Sequence, residues 1–561
     1  MPASRHAAVS ADSVLDINQL YVSRTSREPE KKEVPRNILF QLTLRQHILL
    51  VQHVGVGRMT LDIENDLQRR PETMDEDKEK AIEPLAENSD GVLSDAEVKE
   101  VAGLPPWDTD DENPYNWPAG KKAWQIGMAA SSAFLASLSI SIMTPSVGQL
   151  MREFDINSTQ AILPLSLYVF ALALGPVVGG PLSETIGRYP VFLLATPIGA
   201  LFVLGSALTH SFVGLCILRF LAGFCFGPGL AISAGVLNET YKPEKRGLPS
   251  TLFILTPFLG PGLAPAIGAF VSNRMGWRWT QYTILFFAAW TLGITIVVGR
   301  ETFHPVLKAR RLKKLGQTVT EKKEFGQIAR HFLTIAVLRP VHMLFTEPIV
   351  GLVCLYAACE FATLFTFFAA VPYVFQGVYH FSIEQTGLVF LSIVTGCLLG
   401  TVTVVLCDIF LYRRQLHLHP PHMVPPEYRL YPAMIGSIGP PIALFWFAWT
   451  ARADISWASP TFSMVAFAWG NLCIFISTMQ YMVDTYHGST VASAASANSL
   501  ARYGLAGAFP LFTLQMYTKL GINWASSLLG FIALALMPVP WVFFKYGKRI
   551  RARSQYETAS Y

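Results

Sequence analysis

The residues best suited to chemistry in this chain are charged side chains inside or beside long apolar segments. One acid and one base lie four residues apart in Gly180-Pro-Leu-Ser-Glu184-Thr-Ile-Gly187-Arg188. On a helical turn Glu184 and Arg188 share a face, so each can pair with the other or cap a neighbouring helix end. The glycines permit a tight turn and close helix approach. The pattern predicts a conformational latch, and an ordinary solvated loop is the alternative.

Two further charges lie within apolar segments. Arg219 lies several residues inside segment 213–238, and Glu360 lies about halfway along segment 347–373. A charge in the membrane is costly unless it is paired or hydrated, so function is the first hypothesis for both. The alternatives are an Arg219 side chain that reaches the nearer interface and a neutral, hydrogen-bonded Glu360. An active Glu360 would exchange protons or hold a cationic cargo.

Small residues and prolines recur on segment 249–272 and around the glycine-rich turn. Small side chains at four-residue spacing make a close-packing helix face, and proline kinks a helix. Either a structural helix crossing or a moving gate would use them. The candidate gating and packing residues are Gly180, Gly187, Gly260, Pro261, Pro265 and Gly268.

Aromatic and amide side chains on three segments could line a cavity, because aromatic rings give wide, tolerant contacts to flat apolar molecules. Packing or lipid contact is the alternative for each of them. The candidates are Tyr168, Phe365, Trp469, Asn471, Gln480 and Tyr481. Three acids near predicted helix ends, Glu239, Asp408 and Asp484, are expected to cap helices or form salt bridges. Asn157-Ser-Thr159 is a glycosylation sequon in a predicted outward loop.

Twelve apolar segments must position these residues. The chain is 51% hydrophobic and only 15% charged, whereas soluble proteins carry about 25% charged residues. Each segment has the roughly 20 residues that a membrane-spanning helix needs. They are 123–145, 160–182, 190–209, 213–238, 249–272, 280–298, 347–373, 385–411, 430–450, 459–483, 492–518 and 522–544. We therefore expect an all-α membrane protein of two six-helix, pseudo-symmetric halves.

The polar stretches divide the chain and set its expected orientation. The loop after the sixth segment and the chain after residue 544 are both rich in Lys and Arg, which indicates a cytoplasmic location. An even number of helices then places the N-terminus in the cytoplasm as well. The expected parts are a mostly disordered cytoplasmic region 1–110, a first half 111–298, a basic linker 299–346, a second half 347–544 and a tail 545–561.

Several function classes are excluded on sequence grounds. There is no Gly-x-x-x-x-Gly-Lys-[Ser/Thr] phosphate loop, so ATP-driven pumping is disfavoured. We expect neither a cofactor nor a metal site, since no His/Cys/acid cluster has ligand spacing, and an enzyme is not expected. The seven cysteines lie in apolar segments and predict packing without disulfides. The net charge of +5 comes from short basic loops and does not indicate nucleic-acid binding.

The glycine-rich turn, Arg219 and the small-residue segment resemble, in this order, motifs of the major facilitator superfamily. The turn has Glu184 where that family usually has Asp and Tyr189 where a second base is common. Arg219 matches a fourth-helix arginine that the family associates with proton coupling. Segment 249–272 is similar to its antiporter motif, with alanines at 264 and 269 in place of glycines.

Further motifs narrow the resemblance to fungal twelve-helix drug:proton antiporters. They include Asn113-Pro-Tyr-Asn-Trp-Pro, Gly276-Trp-Arg-Trp279-Thr, Glu301-Thr-Phe-His-Pro, Phe345-Thr-Glu-Pro348 and Phe509-Pro-Leu-Phe. The resemblance implies proton-driven export of small organic molecules, such as drugs, toxins or a secondary metabolite, by a monomer in the plasma membrane. A polyamine or nutrient carrier is the alternative.

Overall fold

Membrane-length helices dominate the part of the chain that the structure describes. The computed structural model describes residues 106–242, 245–314, 338–420, 424–486, 489–556 and 558. Residues 1–105 of the region expected to be disordered and residues 315–337 of the expected linker lie outside these residues. The first six helices are α1 (Ala119–Ser141), α2 (Ser158–Ile186), α3 (Arg188–Leu208), α4 (Phe212–Thr240), α5 (Gly247–Met275) and α6 (Arg278–Val298).

The remaining membrane helices form the second half of the chain. They are α7 (Pro348–Gly377), α8 (Ile383–Leu418), α9 (Pro426–Thr450), α10 (Ala458–Thr485) and a long run, Ser489–Leu536, that continues into Val539–Arg551. Gly521, with φ 75°, breaks that run, and we name the parts before and after it α11 and α12.

The last helical run must cross the membrane twice. By length and hydropathy the described residues contain eleven candidate spans, of which the last, Thr490–Arg551, has 62 residues. About 20 residues suffice for a bilayer, so the turn at Gly521 divides this candidate into two spans. The expectation of a twelve-helix, all-α membrane fold is confirmed.

Local sequence signals fix where several helices begin and end. Asn157 starts α2 with a capping box, in which its side chain accepts a hydrogen bond from the Gln160 amide while the Gln160 side chain accepts one from the Asn157 amide. Ser382 starts α8 in the same way. Gly187 and Gly276, with φ of 103° and 90°, end α2 and α5. The exposed Asn157 of the predicted sequon is therefore itself a helix cap.

The two halves meet where α2 packs against α11 and α5 packs against α8. On α5, a Cβ at Gly268 would lie 2.0 Å from the carbonyl oxygen of Ile142, and one at Gly262 would lie 2.6 Å from Val394 of α8. Gly260 would meet Ser137 of α1 at 2.6 Å. Pro261 and Pro265 lie inside the unbroken helix. The small residues of α5 thus let α1 and α8 pack closely against α5.

Candidate functional site

A cavity of about 380 Å³ lies between the two halves and is called the central cavity below. The first half contributes residues of α1 to α5, and the second half contributes residues of α7, α10 and α11. Its polar and charged lining includes Glu184, Arg188, Asn238 and Arg502, and its aromatic lining includes Phe258, Phe361, Phe475 and Tyr503. The cavity thus joins both halves through apolar walls and a few charges, as small-molecule sites do.

A second pocket of about 210 Å³ lies near the opposite ends of the same helices. It is lined by residues of α2, α7 and α11 and of the segment 143–147 that follows α1, including Leu165, Phe368 and Pro510. Phe361, Phe365 and Phe368 stack along α7, with centroid distances of 5.4 Å and 5.1 Å. Phe361 lines the central cavity, Phe368 lines the second pocket, and the fully buried Phe365 lies between them. This stack separates the two spaces in the conformation described.

Arg219 is completely buried in the first half. Its Nη2 donates to the Ser139 carbonyl oxygen of α1, and its guanidinium lies 4.4 Å from the ring centroid of Tyr168 on α2. Tyr168 donates in turn to the Ala136 carbonyl oxygen at 2.9 Å. Among the described residues, Nε and Nη1 of Arg219 have no hydrogen-bond partner. Arg219 does not reach an interface, which removes the alternative considered from the sequence.

Glu360 is also buried, with 4% of its surface exposed. Its backbone carbonyl accepts a hydrogen bond of 3.1 Å from Asn471 of α10. One carboxylate oxygen, Oε2, has no partner within the described part of the chain. Glu360 does not line either cavity, so it does not face a cargo there in this conformation.

The glycine-rich turn is mostly helical. Residues 180–186 form the last turns of α2, and Gly187 alone makes the connection to α3. Arg188 forms an ion pair of 2.8 Å with Glu239 at the end of α4 and donates to Ser183. Its guanidinium lies 4.7 Å from the Phe303 ring centroid. Arg188 therefore ties three helix ends together, whereas Gly180 borders open space in the central cavity.

Glu301 is a residue of this site whose role the sequence motif alone did not reveal. Its carboxylate accepts hydrogen bonds from the backbone amides of Arg188 and Tyr189, at 2.9 Å and 3.3 Å, and so caps α3. A Cβ at Gly187 would lie 2.1 Å from Glu301 Oε2. With φ of 103° at that position as well, only glycine suits the turn.

The second half has an equivalent pair at the end of α10. Arg429 donates from Nε to Asp484 at 2.7 Å and lies 3.9 Å from Asp408. Arg246, in the connection before α5, approaches Asp484 to 3.7 Å and links the two halves. The three acids expected near helix ends, Glu239, Asp408 and Asp484, all form ion pairs.

None of the six side chains predicted to line a cavity borders either cavity in this conformation. Trp469 donates to Thr403 at 3.0 Å, and Tyr481 packs on Phe543 with centroids 5.7 Å apart. Tyr168, Phe365 and Asn471 have the buried contacts given above, and Gln480 is half-buried away from both cavities. The residues of α10 that do line the central cavity are Phe475, Met479 and Val483. Their spacing of four selects one helix face. Trp469, Gln480 and Tyr481 lie on other faces, whereas Asn471 lies on that face one turn before Phe475 and donates to Glu360 instead.

Arg502 of α11 is the charged residue that sequence reasoning missed. It lies within the apolar segment 492–518, the same signal that singled out Arg219. Three aromatic rings surround its guanidinium in the central cavity, those of Phe361, Phe475 and Tyr503. A search for every charge inside an apolar segment would have found it.

A histidine outside the membrane helices supports the Arg188 pair. His304 Nδ1 accepts a hydrogen bond from Trp107 Nε1 at 3.2 Å, and its Nε2 lies 3.0 Å from the Glu239 carbonyl oxygen. Burial lowers the pKa of His304 and outweighs the opposite effect of Glu239. The neutral ring, with its proton on Nε2, satisfies both contacts.

Comparison with known proteins agrees with this architecture. The sequence profile described as "Major Facilitator Superfamily" matches residues 129–510. The "MFS-type transporter traF" of Penicillium crustosum is 38% identical over 478 residues, which cover 84% of this chain and 98% of that protein. The "Major facilitator superfamily multidrug transporter mdrA" of Aspergillus fumigatus is 37% identical, covering 81% of this chain and 75% of that protein.

A relative whose name states a different cargo has a sequence identity with this chain only a few per cent lower. "Polyamine transporter 4" of Saccharomyces cerevisiae is 34% identical over 491 residues, covering 81% of this chain and 73% of that protein. The relatives are transporters and not enzymes, and both the profile and the relatives cover most of the helices described here. This chain therefore belongs to the major facilitator superfamily, among its fungal multidrug and efflux transporters.

Proposed function

We propose that this protein is a proton-coupled antiporter that exports small organic molecules across the plasma membrane. The observation that carries the proposal is Arg219, a fully buried arginine in α4 with two nitrogens that lack partners in the described part of the chain. A buried charge of this kind is costly, so an arginine kept at this position is a functional candidate by default. Its stacking partner Tyr168 connects it to α2, the helix that packs against the second half.

The coupling we infer is a change in charge that favours one conformation over the other. Entry of a proton at a buried acid, for which Glu360 is the candidate, would alter the electrostatic balance around the buried arginines. The latch of Arg188 and Glu239 at the end of α4 would hold one arrangement of the first half. Cargo would leave the central cavity when the aromatic stack of α7 parts. Names of relatives such as "Efflux pump FUB11" of Gibberella moniliformis support export as the direction.

The orientation we propose follows from exposed basic residues. The end of the bundle that holds the α2–α3 and α4–α5 connections, called the basic face below, exposes Lys245, Arg310, Lys313, Arg414 and Lys548. Loops rich in Lys and Arg stay in the cytoplasm during insertion. The central cavity borders Glu184, Arg188 and Asn238 at this face, so cargo would enter it from the cytoplasm.

Retention of fluorescent and antifungal compounds in cells that lack their own exporters tests this proposal. Wild-type protein should lower retention of at least one compound, and a protonophore should abolish the effect. Arg219→Ala should abolish export at equal expression, whereas Arg452→Ala, which removes an exposed arginine paired only with Asp454, should leave it unchanged. Export that persists without a proton gradient would contradict the coupling.

A polyamine carrier is the second candidate, because one relative is named for polyamines. Multiply charged amines need acidic groups where they bind. The described lining of the central cavity includes one acid, Glu184, beside two arginines, Arg188 and Arg502. Uptake or release of labelled spermidine by cells with and without the protein separates this candidate from the first.

A further inference from the structure

We propose that the central cavity selects organic anions, and that Arg502 receives the carboxylate of the cargo. The inference rests on the proposed export function and names the class of molecule exported. Its starting point is the position of Arg502, which lines the cavity on α11 at the junction with α7 and α10. Neither the relatives' names nor the sequence motifs assign a role to this residue.

Aromatic rings hold the Arg502 guanidinium in place. Its central carbon lies 4.6 Å from the centroid of Phe361, 4.5 Å from that of Phe475 and 4.4 Å from that of Tyr503. Cation–π contacts use the planar face of a guanidinium and leave its N–H groups available at the edge. The cage thus orients the cation without using up its hydrogen-bond donors.

Arg502 lacks an anionic partner among the described residues. Its buried Nε has no hydrogen-bond acceptor there, and the contacts of its guanidinium within the described part of the chain are with the three aromatic rings. Arg219, the arginine buried within α4, is instead anchored by a backbone carbonyl and does not line the cavity. A guanidinium presents a fork of donors that matches a carboxylate in two parallel hydrogen bonds.

The remaining charges of the cavity do not compensate Arg502. Arg188 is already neutralised by Glu239 at 2.8 Å. Glu184 lies in the last turn of α2, at the basic face. Glu360 is not among the residues that line the cavity. The cavity therefore offers a positive group among aromatic walls, which favours a flat anion over a neutral molecule and disfavours a cation.

Binding of three matched probes to the purified full chain in lipid nanodiscs tests this inference. The probes are 1-pyrenebutyrate, its methyl ester and the corresponding pyrenylbutylamine, which share one ring system and differ in charge. Fluorescence anisotropy gives the affinities without any ion gradient. The variants are Arg502→Gln, which removes the charge, and Arg502→Lys, which keeps it. Arg452→Gln, at an exposed site in an ion pair with Asp454, is the matched control.

We expect wild-type protein to bind the carboxylate about tenfold more tightly than the ester, the usual scale of one charge-assisted contact. Arg502→Gln should remove that preference and leave binding of the ester unchanged, while Arg502→Lys should keep part of it. The control should match the wild type. Size-exclusion profiles establish whether each variant is folded. If Arg502→Gln is not folded, the carboxylate preference of Arg502→Lys is compared with that of the wild type instead.

Three results would overturn the inference: the amine binds at least as tightly as the carboxylate, Arg502→Gln weakens carboxylate and ester equally, or no probe binds the wild type. Equal weakening would mean that Arg502 only supports the packing of the rings. The proposed export function fails separately, when cells show no proton-dependent efflux. An exporter that prefers the amine would refute the anion inference and leave proton-coupled export standing.

Discussion

The two halves of the molecule build the same ion pair and enclose it differently. In the first half, Arg188 at the start of α3 meets Glu239, the residue before the last of α4, at 2.8 Å. In the second half, Arg429 in the first turn of α9 meets Asp484, the residue before the last of α10, at 2.7 Å. The positions correspond as expected for repeated halves.

The two ion pairs differ in the residues that contact them and in how exposed their acids are. Thr302 donates to Glu239 at 2.6 Å and Ser183 accepts from Arg188, so the first pair is completed by its own half. Asp484 is instead approached by Arg246 of the other half at 3.7 Å. The Glu239 side chain is 11% exposed and that of Asp484 is 24% exposed. The first pair therefore holds one half together, whereas the second belongs to a contact between halves that a rocking motion can break.

The largest effect is expected from removing the acid of the first pair. Glu239→Gln leaves Arg188 as an uncompensated cation in a buried site, which costs about 3 kcal/mol of folding stability. Unfolding of the purified protein in mixed micelles measures this loss. Asp454→Asn, which changes an exposed acid paired with Arg452, is the matched control and should unfold like the wild type. An equal free energy of unfolding for both variants would show that burial of the Arg188–Glu239 pair does not contribute to stability.

A smaller effect is expected at the second pair. Arg429→Gln leaves Asp484 with Arg246 and Asp408 with Arg413, so other cations replace part of the lost interaction. Loss of the cation–π contact with Tyr412, at 3.7 Å, adds to the cost. We expect about 1 to 2 kcal/mol of destabilisation in the same unfolding assay. If Arg429→Gln lowers the free energy of unfolding as much as Glu239→Gln does, the two ion pairs do not differ in their contribution to stability.

The contact between halves should act on conformation more than on stability. Arg246→Gln removes an ion pair worth up to about 1 kcal/mol, which changes the ratio of two conformations by roughly fivefold. Spin labels at Thr185 and Arg414, exposed residues of opposite halves at the basic face, report their separation. We expect Arg246→Gln to populate longer distances between the two labels more than the wild type does.

Arg152→Gln is the control for this experiment, because Arg152 is exposed on the short helix Val147–Phe154, which follows α1 at the other end of the bundle. Its distance distribution should match that of the wild type. An unchanged distribution for Arg246→Gln would show that its contact with Asp484 does not restrain the halves.

Acid should loosen the first pair slightly through His304, which is the smallest effect expected. Burial lowers the pKa of His304 below its ordinary value, so the unfolded chain takes up a proton at a higher pH than the folded one. The stability that the neutral ring provides is complete above about pH 6.5 and is lost as the pH falls below that value. Lys308 opposes the charged ring and Glu239 favours it.

Thermal unfolding at pH 7.5 and pH 5.5 measures this effect. The midpoint of wild type should fall more on acidification than that of His304→Gln, which keeps hydrogen-bonding groups but does not titrate. Emission from Trp107, whose Nε1 donates to His304, should change over the same pH interval. Identical pH dependence in both proteins would exclude His304 as the titrating group.

Much of the fold could be predicted because the bilayer imposes it. Length and hydropathy located the helices to within several residues of their ends. The caps at Asn157 and Gly187 were recognised only in the structure. The place of Arg219 inside an apolar segment marked it as a functional candidate, but its burial was decided by the structure, since a side chain that reaches the interface had the same sequence signal. The lining of the central cavity could not be predicted in this way, since nearly every face of these helices is apolar and hydropathy does not tell which one turns inward.

By itself the sequence determined the helix count, the family and the short list of charges in the membrane, because each depends on local composition or on a local motif. Tertiary structure alone decided the partners of those charges. Arg188 pairs with Glu239, 51 residues away, and Glu301 caps α3 from beyond α6. It also placed Arg502 among rings from three helices. Contacts of this kind depend on how helices rotate and cross, which a linear pattern does not record.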